Sequence, residues 1–366
     1  DQAEAEHRPA HSASWGVAVA SGLVGAVLSF GLVAATGALS RGEPEPAVVR
    51  EAVPVSSPSV QAPAPEPVVR IAEEVSPAIV RIEVSGSRAG SGSGVMFRGD
   101  GFLLTNTHVV EGSDGLQVIL ADGAEHRGTV VGADELTDVA VVRVDGSGPF
   151  PVAVLGSAAT LRVGQGAVAI GSPLGLIGGS SVTTGVISAL GRVVTTPDRP
   201  PLLDMIQTDA AIAPGSSGGA LVDAQGAVIG ITTAIAVTDA GAEGLGFATP
   251  IDIARSVAED IIATGQAAHV WLGIEGRDLD AASARAHGVA GGAVVVEVVD
   301  RSPAAGAGLE PDDIIVAISG EPVASMSALV IALRELEPGQ PVELGVRRGG
   351  RTQTVVVELA SRPEGL

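Results

Sequence analysis

The sequence predicts a mainly β protein with two folded sections behind an apolar N-terminal segment, and three observations carry that prediction. Apolar residues make up 46% of the 366 positions, aromatics only 2%, and glycine occurs 50 times. A core must therefore be assembled from Val, Ile, Leu and Ala, a set that favours strands. Short apolar runs such as AIVRIEV, DVAVVRV and GAVIGITTAI are punctuated by Gly, Ser and Asp turns, as in chains that close many short strands into a sandwich or barrel. A second set of such runs, WLGIEG, GAVVVEVV, DIIVAISG and PVELGVRR, begins near Ala267, and the length accommodates more than one core.

Composition removes whole classes of function. The formal charge is −21 and every cation is Arg, which argues against a phosphate-binding surface for nucleic acid. Cysteine is absent, so no disulfide framework, thiolate metal site or cysteine nucleophile is expected. The six histidines are scattered along the chain, and no metal or cofactor is expected either.

Residues 1–14 form an acidic N-terminal flank, and 15–39 contain no charged residue. At ~1.5 Å per residue the latter would cross a ~30 Å hydrocarbon core, so a transmembrane helix is expected there. A cleaved signal peptide is the alternative, and Arg8, Arg41 and Arg50 do not settle orientation by the positive-inside rule. Repeated Pro with Glu and Ala over 40–69 reads as an extended linker. The first folded section spans 70–266 and includes a short SGSRAGSGSG loop; it ends in a helix over 250–264, where IDIARSVAEDIIAT has helical periodicity. The second spans 267–362, with a helix that places Met326, Leu329, Val330, Leu333 and Leu336 on one core-facing side.

Three segments of the first section bear chemistry. His108 follows the apolar GFLL run in TNTHVV, Asp138 opens an apolar run in TDVAVV, and Ser217 sits among Gly215, Gly218 and Gly219 before Leu221. Each alone has an ordinary structural explanation. Together they supply a nucleophilic hydroxyl, a base and an orienting carboxylate, in the chain order His, Asp, Ser. The glycines permit a tight loop that aims the backbone N–H groups of Gly215 and Ser217 at one point. His126, in AEHRG, matches no motif and reads as a surface residue.

The segments TNTHVV, TDVAVV, IQTDAAIAPGSSGGALVD and GLGFATPI resemble the signature segments of the HtrA/Deg serine proteases, with 30 residues from His108 to Asp138 and 79 from Asp138 to Ser217. The resemblance implies a chymotrypsin-like pair of six-stranded β-barrels. His108 would be general base, Asp138 its orienting carboxylate, Ser217 the nucleophile, and Gly215 and Ser217 the oxyanion-hole donors. Where the family segment resembles AAINPGNSGG, this chain has Ala213 and Ser216 at the two Asn positions, so a loosely held oxyanion loop is expected. The family positions also place Ile212 and Ile235 in the primary substrate pocket, implying cleavage after small or medium aliphatic residues such as Val, Ile or Ala.

The second section resembles a PDZ domain, in which Leu272, Gly273 and Ile274 would form the loop that receives a peptide C-terminal carboxylate. One apolar span and one PDZ domain resemble the membrane-tethered, single-PDZ branch. That implies a homotrimer in the bacterial cytoplasmic membrane, facing the extracytoplasmic side and regulated by hydrophobic C-termini. Its substrates would be unfolded or membrane-protein polypeptides. The rival from another class is a catalytically silent chaperone or adaptor that uses the PDZ domain to hold peptides.

Overall fold

The computed structural model describes residues 66–86, 89–172, 179–196, 199–233, 245–334 and 336–363. The expected transmembrane segment 15–39 and nearly all of the 40–69 linker lie outside them. Among the described residues no helix is long and apolar enough to cross a membrane. Helix α1 (Pro67–Val75) starts within the last residues assigned to the linker, with Pro in its first turn, where the missing N–H costs no helical bond. It buries Ile71 and Val75.

Strands β1 (Ile79–Gly86), β2 (Gly90–Arg98), β3 (Phe102–Thr105), β4 (Ser113–Ile119), β5 (Glu125–Asp134) and β6 (Val139–Val144) close a first barrel in the order β1-β2-β3-β6-β5-β4. The SGSRAGSGSG segment was read as a loop, but Gly90–Gly94 are paired with Val80–Val84 in the ladder. Small residues there permit close approach: a methyl added at Gly92 would come within 2.5 Å of Val109 Cγ1 and 3.3 Å of the Ser217 carbonyl. Strands β7 (Gly166–Gly171), β8 (Ser181–Thr196), β9 (Arg199–Thr208), β10 (Ala220–Val222), β11 (Val228–Thr233) and β12 (Gly246–Pro250) close a second barrel in the order β10-β11-β12-β9-β8-β7. The two six-stranded barrels are those implied by the resemblance.

A one-turn helix α2 (Thr107–Val110) follows β3, and helix α3 (Ile251–Thr264) ends the first section. In α3 the apolar periodicity buries Ile251, Ala254, Val257, Ala258 and Ile261 in one cluster with the first barrel and part of the second. Each large aliphatic buried there contributes on the order of 1.5–3 kcal/mol. Gly265 stops the helix in the left-handed conformation, φ +88°, as an αL cap does.

The second section has its own core, centred on Leu272, Val295, Ile315, Leu329, Leu344 and Val357. Strands β13 (Val270–Trp271) and β20 (Ala360–Ser361) pair at its entrance; β14 (Ile274–Asp278), β15 (Ala293–Val298), β16 (Ile314–Ile318), β18 (Pro341–Arg348) and β19 (Arg351–Glu358) form a sheet, with β17 (Glu321–Pro322) beside β16. Helices α4 (Ala281–His287), α5 (Pro303–Gly306) and α6 (Met326–Arg334) complete it. On α6 Leu329 and Leu333 are buried, with Met326 and Ala332 beside them. Val330, expected on that face, is half-buried outside this core, and Leu336 packs from beyond the helix end.

Candidate active site

His108 is delivered by local geometry. Strand β3 ends at Thr105, Asn106 stays extended at φ −88°, and α2 turns His108 back at once. This turn is bolted to the segment leading to Asp138. The Thr107 N–H and the Asn106 amide donate to the Asp138 carbonyl at 3.2 and 2.9 Å, while Thr107 Oγ1 lies 2.9 and 3.0 Å from the carbonyls of Asp134 and Val139. Asp138 is itself left-handed, φ +56°, a conformation Asp tolerates better than most side chains. Its carboxylate is 4% exposed and grips His108 twice. Oδ1 accepts the His108 backbone N–H at 3.0 Å, and Oδ2 lies 2.7 Å from His108 Nδ1. With Nδ1–H donating to a carboxylate, Nε2 is left as the basic nitrogen.

Ser217 lies on the loop entering β10. Ala213–Ser216 form a type II turn, with Pro214 and Gly215 (φ +89°) at its centre and the Ser216 N–H donating to the Ala213 carbonyl at 2.9 Å. Gly at this position supplies the positive φ the turn requires. Where Ala213 and Ser216 replace the two Asn, the loop finds other partners. Ser93 Oγ donates to the Gly215 carbonyl at 2.7 Å and Thr232 Oγ1 to the Ser216 carbonyl at 2.7 Å. The Ser93 and Gly218 N–H groups donate to Ser217 and Thr232 carbonyls at 2.7 and 2.8 Å. These hydroxyl and backbone bonds tie down the loop without amide side chains at 213 and 216. The barrels also meet where Asn106 donates to Thr233 Oγ1 at 3.1 Å and Thr249 Oγ1 to the Thr137 carbonyl at 3.3 Å.

Ile212 is half-buried against the second-barrel core, and its Cδ1 would lie 2.7 Å from a methyl at Gly246. Ile235 lies outside the described residues. His126 is not a plain surface residue: it is half-buried, its Nδ1 is 2.9 Å from the Asp145 carbonyl, and its ring meets Phe150 edge-on with centroids 5.5 Å apart.

Comparison with known proteins matches residues 92–231 to the trypsin-like peptidase domain and 270–359 to the PDZ domain. The solved structure of the HtrA-type protease AlgW with a tripeptide is 38% identical, with a TM-score of 0.70, over 81% of this chain and 97% of that one. The chain belongs to the HtrA-type serine proteases. The HhoB protein of Synechocystis sp. is 42% identical over 290 residues, 76% of this chain and 68% of that protein. The serine protease PepD of Mycobacterium tuberculosis is 41% identical over 319 residues, 81% of this chain and 66% of that protein. The chain thus spans about two thirds of these curated relatives.

In the PDZ domain of this HtrA-type chain, Leu272 is buried and its carbonyl accepts from Ala304 N–H at 2.9 Å; the Gly273 carbonyl accepts from Val299 N–H at 3.0 Å. Gly273 has φ +82°, and Ile274 opens β14 beside α6, where Met326 lies over Gly276.

Sequence reasoning missed a junction between the domains. Asp134, at the end of β5, holds Thr137 through Oδ2, while Oδ1 lies 2.8 Å from His269 Nε2 in the interdomain segment. Arg334, at the end of α6, donates to the Leu136 carbonyl at 3.3 Å. Burial would raise the Asp134 pKa, but the bond and charge of His269 with the bonds of Thr137 and Leu136 outweigh it and hold the carboxyl below its ordinary value. Burial pulls Arg334 below the usual guanidinium range, opposed by the charges of Asp134 and Asp204. His269 and Arg334 thus both contact the four-residue segment that precedes Asp138.

Proposed function

We propose that this chain is a serine endopeptidase acting through an acyl-enzyme, with Ser217 as nucleophile, His108 as base then acid, and Asp138 as orienting carboxylate. The observation that carries the reading is the double grip of Asp138 on His108, at 3.0 and 2.7 Å. It fixes the tautomer in which Nε2 takes the Ser217 hydroxyl proton as Oγ adds to the substrate carbonyl. The N–H groups of Gly215 and Ser217 receive the resulting oxyanion. His108 then gives its proton to the leaving amine, and water repeats the sequence to free the acid and restore Ser217.

Peptides enter as small or medium aliphatic residues before the cut bond, with Ile212 and Ile235 against that side chain; preferential cleavage of a peptide library after Arg or Lys would refute this. Exposed hydrophobic C-termini dock at Leu272, Gly273 and Ile274, and their occupancy shifts the state of the oxyanion loop. The match to AlgW, a protease solved with a tripeptide, supports peptide binding. The contacts of His269 and Arg334 with Asp134 and Leu136 supply a physical route. The apolar 15–39 segment supports a tether to the cytoplasmic membrane; the resemblance to the membrane-tethered, single-PDZ branch supports a trimer with both domains outside, serving envelope quality control or cutting one signalling protein.

Labelling by a serine-directed phosphonate, with and without hydrophobic C-terminal peptides, tests the reading. Wild-type protein should label, and Ser217→Ala should not. Absence of labelling in the wild type under both conditions would favour the silent chaperone.

A further inference from the structure

The proposed oxyanion donors sit on separate peptide units. The Gly215 N–H belongs to the Pro214–Gly215 peptide, and the Ser217 N–H to the Ser216–Ser217 peptide. Between them lies the Gly215–Ser216 peptide, and the two donors converge on one oxygen only if this middle plane is held. Its N–H is committed to the Ala213 carbonyl at 2.9 Å. Its oxygen is held by a residue of the other barrel, Ser93 on β2, through a 2.7 Å bond from Oγ.

Every polar group of Ser93 is engaged in this task, and the residue is fully buried. Its N–H donates to the Ser217 carbonyl at 2.7 Å, so one residue grips the loop at both Gly215 and Ser217. Its hydroxyl oxygen accepts the Ser172 N–H at 2.8 Å, which orients the hydroxyl proton toward Gly215. Its carbonyl accepts from Thr105 Oγ1 at 2.7 Å, which anchors it to β3, the strand that leads into His108. On the far side of the same loop, buried Thr232 holds the Ser216 carbonyl at 2.7 Å and so sets the plane that carries the Ser217 N–H.

We propose that Ser93, with Thr232 as its counterpart, is a positioning residue for the oxyanion donors, clamping the nucleophile loop from the first barrel. The assignment rests on the acyl-enzyme reading above. A buried hydroxyl with both a donor and an acceptor partner sets direction as well as distance. Losing it leaves the Gly215 carbonyl and Ser172 N–H unsatisfied and frees the middle peptide to tilt.

The test is Ser93→Ala in the full chain, with Thr232→Val as an isosteric second variant. Because losing an oxyanion donor outright costs about 10²–10³-fold in kcat, losing its positioning should cost on the order of 10–100-fold. KM should stay within about threefold, the pH midpoint of kcat/KM should not move since His108 and Asp138 are untouched, and a peptide boronate should lose affinity in parallel with kcat. Ser93→Cys, which keeps a weak donor, should recover part of the rate. Wild-type kcat and boronate affinity in both hydroxyl-deleted variants would overturn the proposal, as would a loss confined to KM. Wild-type protein that neither labels with phosphonate nor turns over would instead overturn the acyl-enzyme reading, a result distinct from either.

Discussion

The two halves of the site are positioned by opposite means. On the first-barrel side the functional groups hold each other, with the Asp138 carboxylate taking both the His108 N–H and Nδ1. On the second-barrel side the loop is held by its backbone: the carbonyls of Gly215, Ser216 and Ser217 accept bonds from Ser93, Thr232 and the Ser93 N–H respectively. One half therefore depends on the identity of its reactive residues, and the other on small or hydroxylated residues that never meet substrate. Substitutions should separate the two dependences.

The first half breaks most sharply at Asp138→Asn. Asn tolerates a left-handed φ about as well as Asp, so the backbone at φ +56° gives no reason for loss. The Asn amide offers one accepting oxygen where the carboxylate offers two, however, and pairing through its NH₂ group would impose the wrong His108 tautomer. The expected fall in kcat is on the order of 10⁴-fold, with circular dichroism unchanged. A rate within tenfold of wild type would break the reading of that half.

The second half breaks at Gly218→Ala, where no reactive group changes. Gly218 has φ +85°, and an added methyl would come within 2.1 Å of the Ser93 carbonyl and 2.3 Å of Thr105 Oγ1. The loop must move away from the clamp, so turnover should fall by on the order of 10²-fold or more with a lowered melting temperature. Unchanged turnover would mean that the close seating on Ser93 is not needed.

This contrast also explains what the sequence disclosed. The pairing of His108 with Asp138 was legible because both residues, like Ser217, sit in recognisable flanks, and helix α3 because five buried residues follow helical spacing. Ser93 was hidden in a Gly/Ser run whose local pattern says turn, although the ladder pairs it with Arg81. The reason for small residues there is the nucleophile loop more than 120 positions away. Likewise nothing local announces Asp134 and His269, which meet across 135 residues. Val330 shows the limit of periodicity, which identifies an apolar side of a helix but not which neighbour covers each position.

A third substitution tests whether the PDZ domain can fail by itself. At Gly273, φ +82°, a methyl would lie 2.1 Å from Ser302 Cβ, and Ser302 caps α5 by accepting the Ala305 N–H at 3.1 Å. Gly273→Ala should destabilise this domain by about 1–3 kcal/mol and abolish binding of hydrophobic C-terminal peptides measured by calorimetry. Basal phosphonate labelling of Ser217 should stay within a few-fold. If labelling disappeared as well, the two sections would not be separable units.

The smallest effect is expected where those sections touch. The Asp134 carboxyl is held below its ordinary value of 3.8 in the folded protein, so the unfolded or detached segment binds protons more readily than the folded one. The stabilisation is fully present above about 3.8 and is lost as pH falls through the lower folded value. Its loss releases Oδ1 from His269 and Oδ2 from Thr137, while Arg334, which donates to the Leu136 carbonyl, loses the nearby negative charge. Protease susceptibility of the interdomain segment should thus rise as pH falls below about 4. Asp134→Asn should raise that susceptibility already at neutral pH and remove most of the acid-dependent rise, changing basal turnover only a few-fold. An acid profile unchanged by this substitution would place the sensitive group elsewhere and leave the proposed route from the PDZ domain to Asp138 without its first link.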